Sequence, residues 1–267
     1  YDPYFTSYAN SQLLEVSRLA TFAPSLKSVD VKNLMRLWLQ YSSQSPEAFA
    51  RTLNIDLPET KLLFEKFGFD YKETVIYPWK NDEFTELLGS KEFQKIIDRN
   101  INVQKKNITS YLKNMGLEGD SSSFIVVDLG WRGTIHDNIS HIVNPKLHGV
   151  YLGLFRFLND QRSNVSKHGW LFDMNLDDEK WREIEVGPLE MLFNSLGGST
   201  IAYHENDGEV IVEKKSEEAE DKVFNLYTKY LQEGIMHGVS SIIEYVSIHG
   251  LCSDDLKPLA RKITSSL

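Results

Sequence analysis

The sequence predicts an α/β fold: a Rossmann-like, mostly parallel sheet with a helical insertion, followed by a C-terminal β-hairpin plus helices. Three observations carry that prediction. Phe124-Ile-Val-Val-Asp128 is an apolar run that ends in an acid and a glycine-bearing loop. This is how a buried parallel strand delivers a polar loop to its carboxyl end, where open α/β sheets bind ligands. A helical pattern precedes that strand, another follows it, and Leu147-His-Gly-Val-Tyr-Leu-Gly-Leu-Phe155 reads as the next strand, which is a βαβ rhythm. Asn206-Asp-Gly208 lies between two short runs of strand-forming residues and is the strongest hairpin signal in the chain.

In chain order, residues 1–29 read as an irregular lead-in and a first core strand, Gln12–Ser17, with Ser17 and Arg18 at its carboxyl edge. Residues 30–115 read as the helical insertion. Val31, Leu34, Met35, Leu37, Trp38 and Tyr41 have helical spacing over 30–45. Ser45-Pro46 is a helix start, serine capping and proline at the first helical position. Pro58 opens another helix that stops at Gly68, and 82–115 is a long helical region broken at Gly89-Ser90. The aromatic residues of this part read as core. Residues 116–196 form the α/β core, with a helix over Ile135–Val143, a polar loop over Asn159–Lys167, a short strand Gly169–Phe172 and a helix over 177–196. Residues 197–267 hold the hairpin and the last helices, all within one integrated domain.

Composition narrows the function classes. The 267 residues, 41% of them hydrophobic, suffice for a core without disulfides. The single cysteine, Cys252, excludes an internal disulfide framework and a cysteine-based zinc site. A net charge of −9, with only short cationic runs such as Lys105-Lys106, argues against nucleic acid as a partner. No membrane span and no signal peptide stand out, so the expected localisation is cytoplasmic. The chain opens at Tyr1, not Met, and reads as a piece of a longer polypeptide whose upstream domain would be a partner.

The chemistry concentrates in Asp128-Leu-Gly-Trp-Arg-Gly-Thr134. Gly130 and Gly133 allow a turn with exposed amides. The helix that begins near Thr134 offers unpaired N–H groups and the positive end of a dipole. Arg132 has the fork that grips phosphate or carboxylate. Asp128 suits a metal, a ribose hydroxyl or a water. The structural alternative is a capped turn, with Arg132 paired to an acid. Asp128 and His136 are the catalytic candidates. Asp128, Gly130, Arg132, Gly133 and Thr134, joined by Ser17 and Arg18, are the ligand-binding candidates. The loop is neither a Walker loop nor a dinucleotide fingerprint, and no Gly-x-Ser-x-Gly or His-Glu-x-x-His occurs. His136 and His141 are five apart, a poor spacing for two metal ligands on one helix. No metal-ligand set is assigned, and magnesium or manganese stays open as a cofactor.

Leu14-Glu-Val-Ser-Arg18, Ile125-Val-Val-Asp-Leu-Gly-Trp-Arg-Gly-Thr134 and Leu147-His-Gly-Val-Tyr-Leu-Gly153 together resemble a known pattern. It is the downstream region of large bacterial proteins described as haloacid-dehalogenase-superfamily hydrolases or family-2-type glycosyltransferases, found with surface-polysaccharide genes. Glu190-Met-Leu-Phe193 with Gly197-Gly198 looks similar too, and the resemblance spans residues 12–205. It implies a domain of a transferase or hydrolase in surface-polysaccharide biosynthesis. The Asp-x-Asp-x-Thr signature of the dehalogenases and the Asp-x-Asp of glycosyltransferases are absent here. The resemblance therefore places those activities in upstream segments.

Three readings result. The first is an accessory α/β domain that binds a phosphorylated sugar, nucleotide-sugar or nucleotide ligand. The second is an autonomous enzyme on a phosphorylated substrate, phosphoribosyltransferase-like or a sugar-nucleotide transferase. The third is a protein-interaction scaffold that docks partners through the aromatic helices at 34–79 and the hairpin.

Overall fold

A computed structural model describes residues 11–176 and 184–265. The fold is mixed α/β, as the sequence predicts. It holds a three-stranded parallel sheet and a separate antiparallel hairpin, with a helical unit before them and helices after.

The first expected strand is not a strand. Residues 12–17 make no ladder, and α1 (Arg18–Phe22) starts directly after them. Tyrosine hydroxyls take up the backbone of this segment. The Glu15 N–H donates to Tyr111 Oη at 2.7 Å, and Tyr203 Oη donates to the Glu15 carbonyl at 2.8 Å. Ser17 is the N-cap of α1, accepting from the Ala20 N–H at 3.0 Å. The helical unit therefore precedes the parallel sheet and does not interrupt it.

That unit is built as its caps dictate. Asp30 caps α2 (Val31–Trp38), whose Leu34, Leu37 and Trp38 turn inward. The helix ends earlier than the apolar spacing suggests, because Ser43–Gln44 (β1) leave to pair antiparallel with Val75–Ile76 (β2). Ser45 caps α3 (Pro46–Thr52), and Pro58 opens α4 (Pro58–Lys66). α5 (Asp82–Gly89) and α6 (Lys91–Asn114) close the unit. Its core is an aromatic lattice: the rings of Phe49 and Phe84 meet edge-on at 5.2 Å, and those of Phe64 and Phe84 lie 5.7 Å apart. Trp38, Phe49, Phe64, Phe84 and Phe93 are all buried. These five aromatics are core, while Tyr41 and Tyr77 of the same segment are exposed.

The 24-residue helix α6 joins two cores. Its first half packs in the aromatic lattice through Phe93, Ile97 and Ile101. Its second half sets Ile108, Tyr111 and Leu112 against Ile139, Leu147 and Tyr203 of the sheet layer and hairpin.

In the sheet, β4 (Lys146–Leu154) lies between β3 (Ser123–Asp128) and β5 (Val165–Asp173), all parallel. α7 (Thr134–Ile142) crosses from β3 to β4. β3 was expected to be buried on both faces and is instead an edge strand. Ile125 and Val127 are 73% and 77% exposed, because nothing among the described residues covers that face of the sheet. β5 is longer than the expected Gly169–Phe172 and takes in Lys167.

α8 (Val186–Leu192) is the described part of the expected helix over 177–196; residues 177–183 and the lead-in over 1–10 lie outside the described residues. The hairpin of β6 (Ser199–Asn206) and β7 (Glu209–Lys215) turns on Asp207 and Gly208, both with positive φ, which suits a two-residue turn. α9 (Glu218–Val223) runs through a π segment into α10 (Lys229–His249), and α11 (Ser253–Thr264) packs back on β5 through Ala260. Among the described residues no helix is long and apolar enough to cross a membrane.

Candidate functional site

The carboxyl end of β3 opens into a crevice of about 640 Å³ between the sheet and the helical unit. Asp128, Gly130, Arg132 and Thr134 line one side; Arg18, Gln40 and Tyr41 line the other. A second chamber of about 520 Å³ continues under α2 and α3. The two share Arg18, Gln40, Tyr41 and Thr134 as a common wall.

The loop is shaped by its glycines. Gly130 has φ +140°, and a Cβ there would stand 2.4 Å from the Gly153 carbonyl oxygen of β4. Gly133 caps α7 at φ +63° and leaves room for the Tyr151 hydroxyl and the Lys167 stem. Asp128 Oδ1 accepts from the Leu129 N–H at 2.8 Å, and burial raises its pKa against those backbone donors. Arg132 donates to the Arg156 carbonyl and lies over the Phe155 ring. Thr134 is the first residue of α7. Trp131 stacks on Phe172, its N–H donating to Glu190 at 2.8 Å, so α8 also reaches the crevice.

The loop residues named from sequence are thus together, and Arg18 joins them from α1, with its guanidinium 5.5 Å from the Tyr41 ring centroid. Ser17 is absent from the lining of both chambers. Its hydroxyl is committed to the Thr200 carbonyl at 2.5 Å and to capping α1. The expected pairing of Ser17 with Arg18 at a strand edge is corrected accordingly.

His136, the other catalytic candidate, is absent from the lining of both chambers as well. It is 1% exposed, packed on Gly149, with Nδ1 3.0 Å from the Tyr151 hydroxyl. Burial, aided by the nearby Lys167 charge, lowers its pKa to about 4. It is therefore neutral in the fold but takes up a proton in the unfolded chain below about pH 6.5. Stability is full above pH 6.5 and falls as pH drops towards 4, by about 3 kcal/mol from this group alone. Urea denaturation at pH 7.5 and pH 4.5 checks this. His136→Asn is expected to remove about that much of the pH dependence; an unchanged dependence would refute the assignment.

Beneath the crevice lies a polar layer that sequence reasoning missed. Arg36 of α2 donates to Asn138 Oδ1 at 2.5 Å and to Ser25 Oγ at 3.1 Å, and Asn138 donates to Thr21 Oγ1 at 3.0 Å. This chain clamps α7 to the helical unit. Lys167 Nζ contacts Asp137 Oδ1 at 2.5 Å, with the lysine side chain 1% exposed. It also donates to the Arg132 carbonyl at 3.3 Å, tying the loop to β5. Burial raises the Asp137 pKa and lowers that of Lys167, each against the pull of its partner. Among the described residues no group of three or more His, Cys, Asp or Glu side chains gathers as a metal centre.

Neither a protein-family model nor a curated protein matches the sequence.

Proposed function

We propose that this chain binds a phosphorylated sugar or nucleotide-sugar ligand in the crevice at the end of β3, as an accessory α/β domain in a surface-glycan biosynthesis protein. One observation carries the reading. Arg18, Arg132 and the amino end of α7 at Thr134 meet in a single crevice, although Arg18 stands more than a hundred residues away in sequence. Guanidinium groups and a helix amino end both favour phosphate oxygens. The net charge of −9 makes this concentration of positive groups a local feature and not a property of the whole surface. Asp128 is the residue that would hold a magnesium ion arriving with the ligand, since magnesium sites combine one or two carboxylates with substrate oxygens.

Titration calorimetry with UDP-glucose and with diphosphate, with and without magnesium, tests the reading. Arg18→Ala is expected to weaken binding about ten- to a hundredfold, the equivalent of one charge-assisted hydrogen bond of about 1.5–3 kcal/mol. Its melting temperature should stay near that of the parent, because Arg18 is exposed. No heat from either probe, or equal affinity in Arg18→Ala, would count against the proposal.

A further inference from the structure

The second chamber has a different chemistry from the crevice. Its wall carries Gln40, Gln44, Ser43, Thr52 and Thr74 with the carboxylate of Asp137 and the guanidiniums of Arg18 and Arg36, so uncharged donors and acceptors outnumber the charged groups. Leu19, Leu37 and Ala48 supply apolar patches between them. A volume of about 520 Å³ falls within the range of about 300–1,000 Å³ seen for small-molecule sites. The chamber has two aromatic rings in its lining, Phe22 and Tyr41. Each already has a guanidinium over it: Arg36 at 5.9 Å from the Phe22 ring and Arg18 at 5.5 Å from the Tyr41 ring. A flat nucleobase stacking on those faces would have to displace the guanidinium already there. A polyhydroxylated ring needs instead many hydrogen-bonding groups at varied angles, with small apolar patches between them.

From this we infer that the chamber under α2 and α3 holds the sugar ring of the ligand, with its phosphate at the shared wall of Arg18 and Thr134. The inference rests on the phosphate reading above and adds the position and class of the uncharged part. In this arrangement Asp137 accepts from sugar hydroxyls, and Gln40 at the neck reads the ring as it enters. Lys167 then has a role beyond packing, because it holds the Asp137 carboxylate in place from below.

Ala48 offers a clean test. It is exposed on α3, lines the chamber and offers the ligand no side-chain hydrogen bond. Ala48→Trp fills the space without removing a polar group, and Ala48→Leu fills part of it. Calorimetry compares inorganic phosphate, glucose 1-phosphate and uridine monophosphate on the parent chain, both Ala48 variants and Arg18→Ala. The expected result has three parts. Glucose 1-phosphate binds the parent at least tenfold tighter than inorganic phosphate. That ratio drops in Ala48→Leu and approaches one in Ala48→Trp, while the affinity for inorganic phosphate changes less than twofold. Arg18→Ala weakens both ligands.

A ratio that survives in Ala48→Trp overturns the sugar chamber and leaves the phosphate reading standing. Uridine monophosphate binding tighter than glucose 1-phosphate, with that preference lost in Ala48→Trp, assigns the chamber to a nucleobase and also overturns it. No binding of any phosphate to the parent chain defeats both this inference and the reading beneath it. Melting temperatures of the variants, measured alongside, separate loss of the chamber from loss of the fold.

Discussion

Replacing Lys167 with methionine is expected to cost about 3–5 kcal/mol of folding stability, the usual penalty for stranding one member of a buried ion pair. Methionine keeps most of the stem, so packing changes little. The Asp137 carboxylate is then left buried without its cation, 2.5 Å from where the ammonium was. Two further results would show that the cost is electrostatic. The penalty should depend on pH in a stated direction. An unpaired buried carboxylate has its pKa raised above the unfolded value of about 3.8–3.9, so its cost is absent at low pH and grows as pH rises through the folded pKa. Lys167→Met should therefore lose more stability at pH 7 than at pH 4. The double variant Lys167→Met/Asp137→Leu should recover much of the loss, because an apolar pair of similar volume often replaces a buried salt bridge at little cost. A double variant as unstable as the single one, by urea denaturation, would mean that packing and not charge sets the penalty. Lys167 also donates to the Arg132 carbonyl, so the single variant should weaken phosphate binding in proportion to the loosening of that loop.

Much of the fold was legible because its signals are local. Asn206-Asp-Gly208 specifies a two-residue turn through the φ > 0 tolerance of its residues, and the turn forms on Asp207 and Gly208. Ser45-Pro46 specifies a helix start by capping and fixed φ, and α3 begins there. The Asp128–Thr134 loop was legible because an acid, two glycines and a helix start follow one another directly. What escaped was settled by partners far away in sequence. Leu14 and Val16 alternate as in a strand, yet the hydroxyls of Tyr111 and Tyr203 bind the Glu15 backbone from 96 and 188 residues away. Arg36 sits in a helix read through its apolar positions, and only its meeting with Asn138, 102 residues on, makes it a clamp. Lys167 ends a polar run that reads as loop; its burial comes from β5 pairing with β4 and from α7 above it. The run Ile125-Val-Val127 reads as buried because exposure depends on what covers a sheet face, which a strand's own residues do not encode.

Gly130→Ala is expected to destabilise the protein by about 3–4 kcal/mol and to abolish phosphate binding, while Gly133→Ala costs about 2 kcal/mol. Both glycines have positive φ, but +63° at Gly133 lies in the left-handed region that other residues visit and +140° at Gly130 lies outside it, and their missing side chains would meet different obstacles. At Gly130 the obstacle is the Gly153 carbonyl oxygen, a backbone atom of the central strand at 2.4 Å from the built Cβ. At Gly133 the nearest atoms belong to side chains, the Tyr151 hydroxyl at 2.8 Å and the Lys167 stem at 2.9 Å, which are buried but can shift further than a strand's backbone. The loop cannot retreat from β4 at Gly130 without breaking its own bonds to that strand. The Leu152 N–H donates to the Leu129 carbonyl at 3.1 Å, and the Phe155 N–H to the Trp131 carbonyl at 2.7 Å. A loop pushed outward loses these and drags Trp131 from its stack on Phe172, which lies at an interplanar angle of 6°. Arg132 moves with it, away from the crevice it shares with Arg18. Tryptophan fluorescence and urea denaturation of the two variants read the difference directly. The expected order is a large loss for Gly130→Ala with a shifted emission spectrum, and a smaller loss for Gly133→Ala with an unchanged one. Equal losses would mean that the contact with β4 is not what fixes the loop on which the crevice depends.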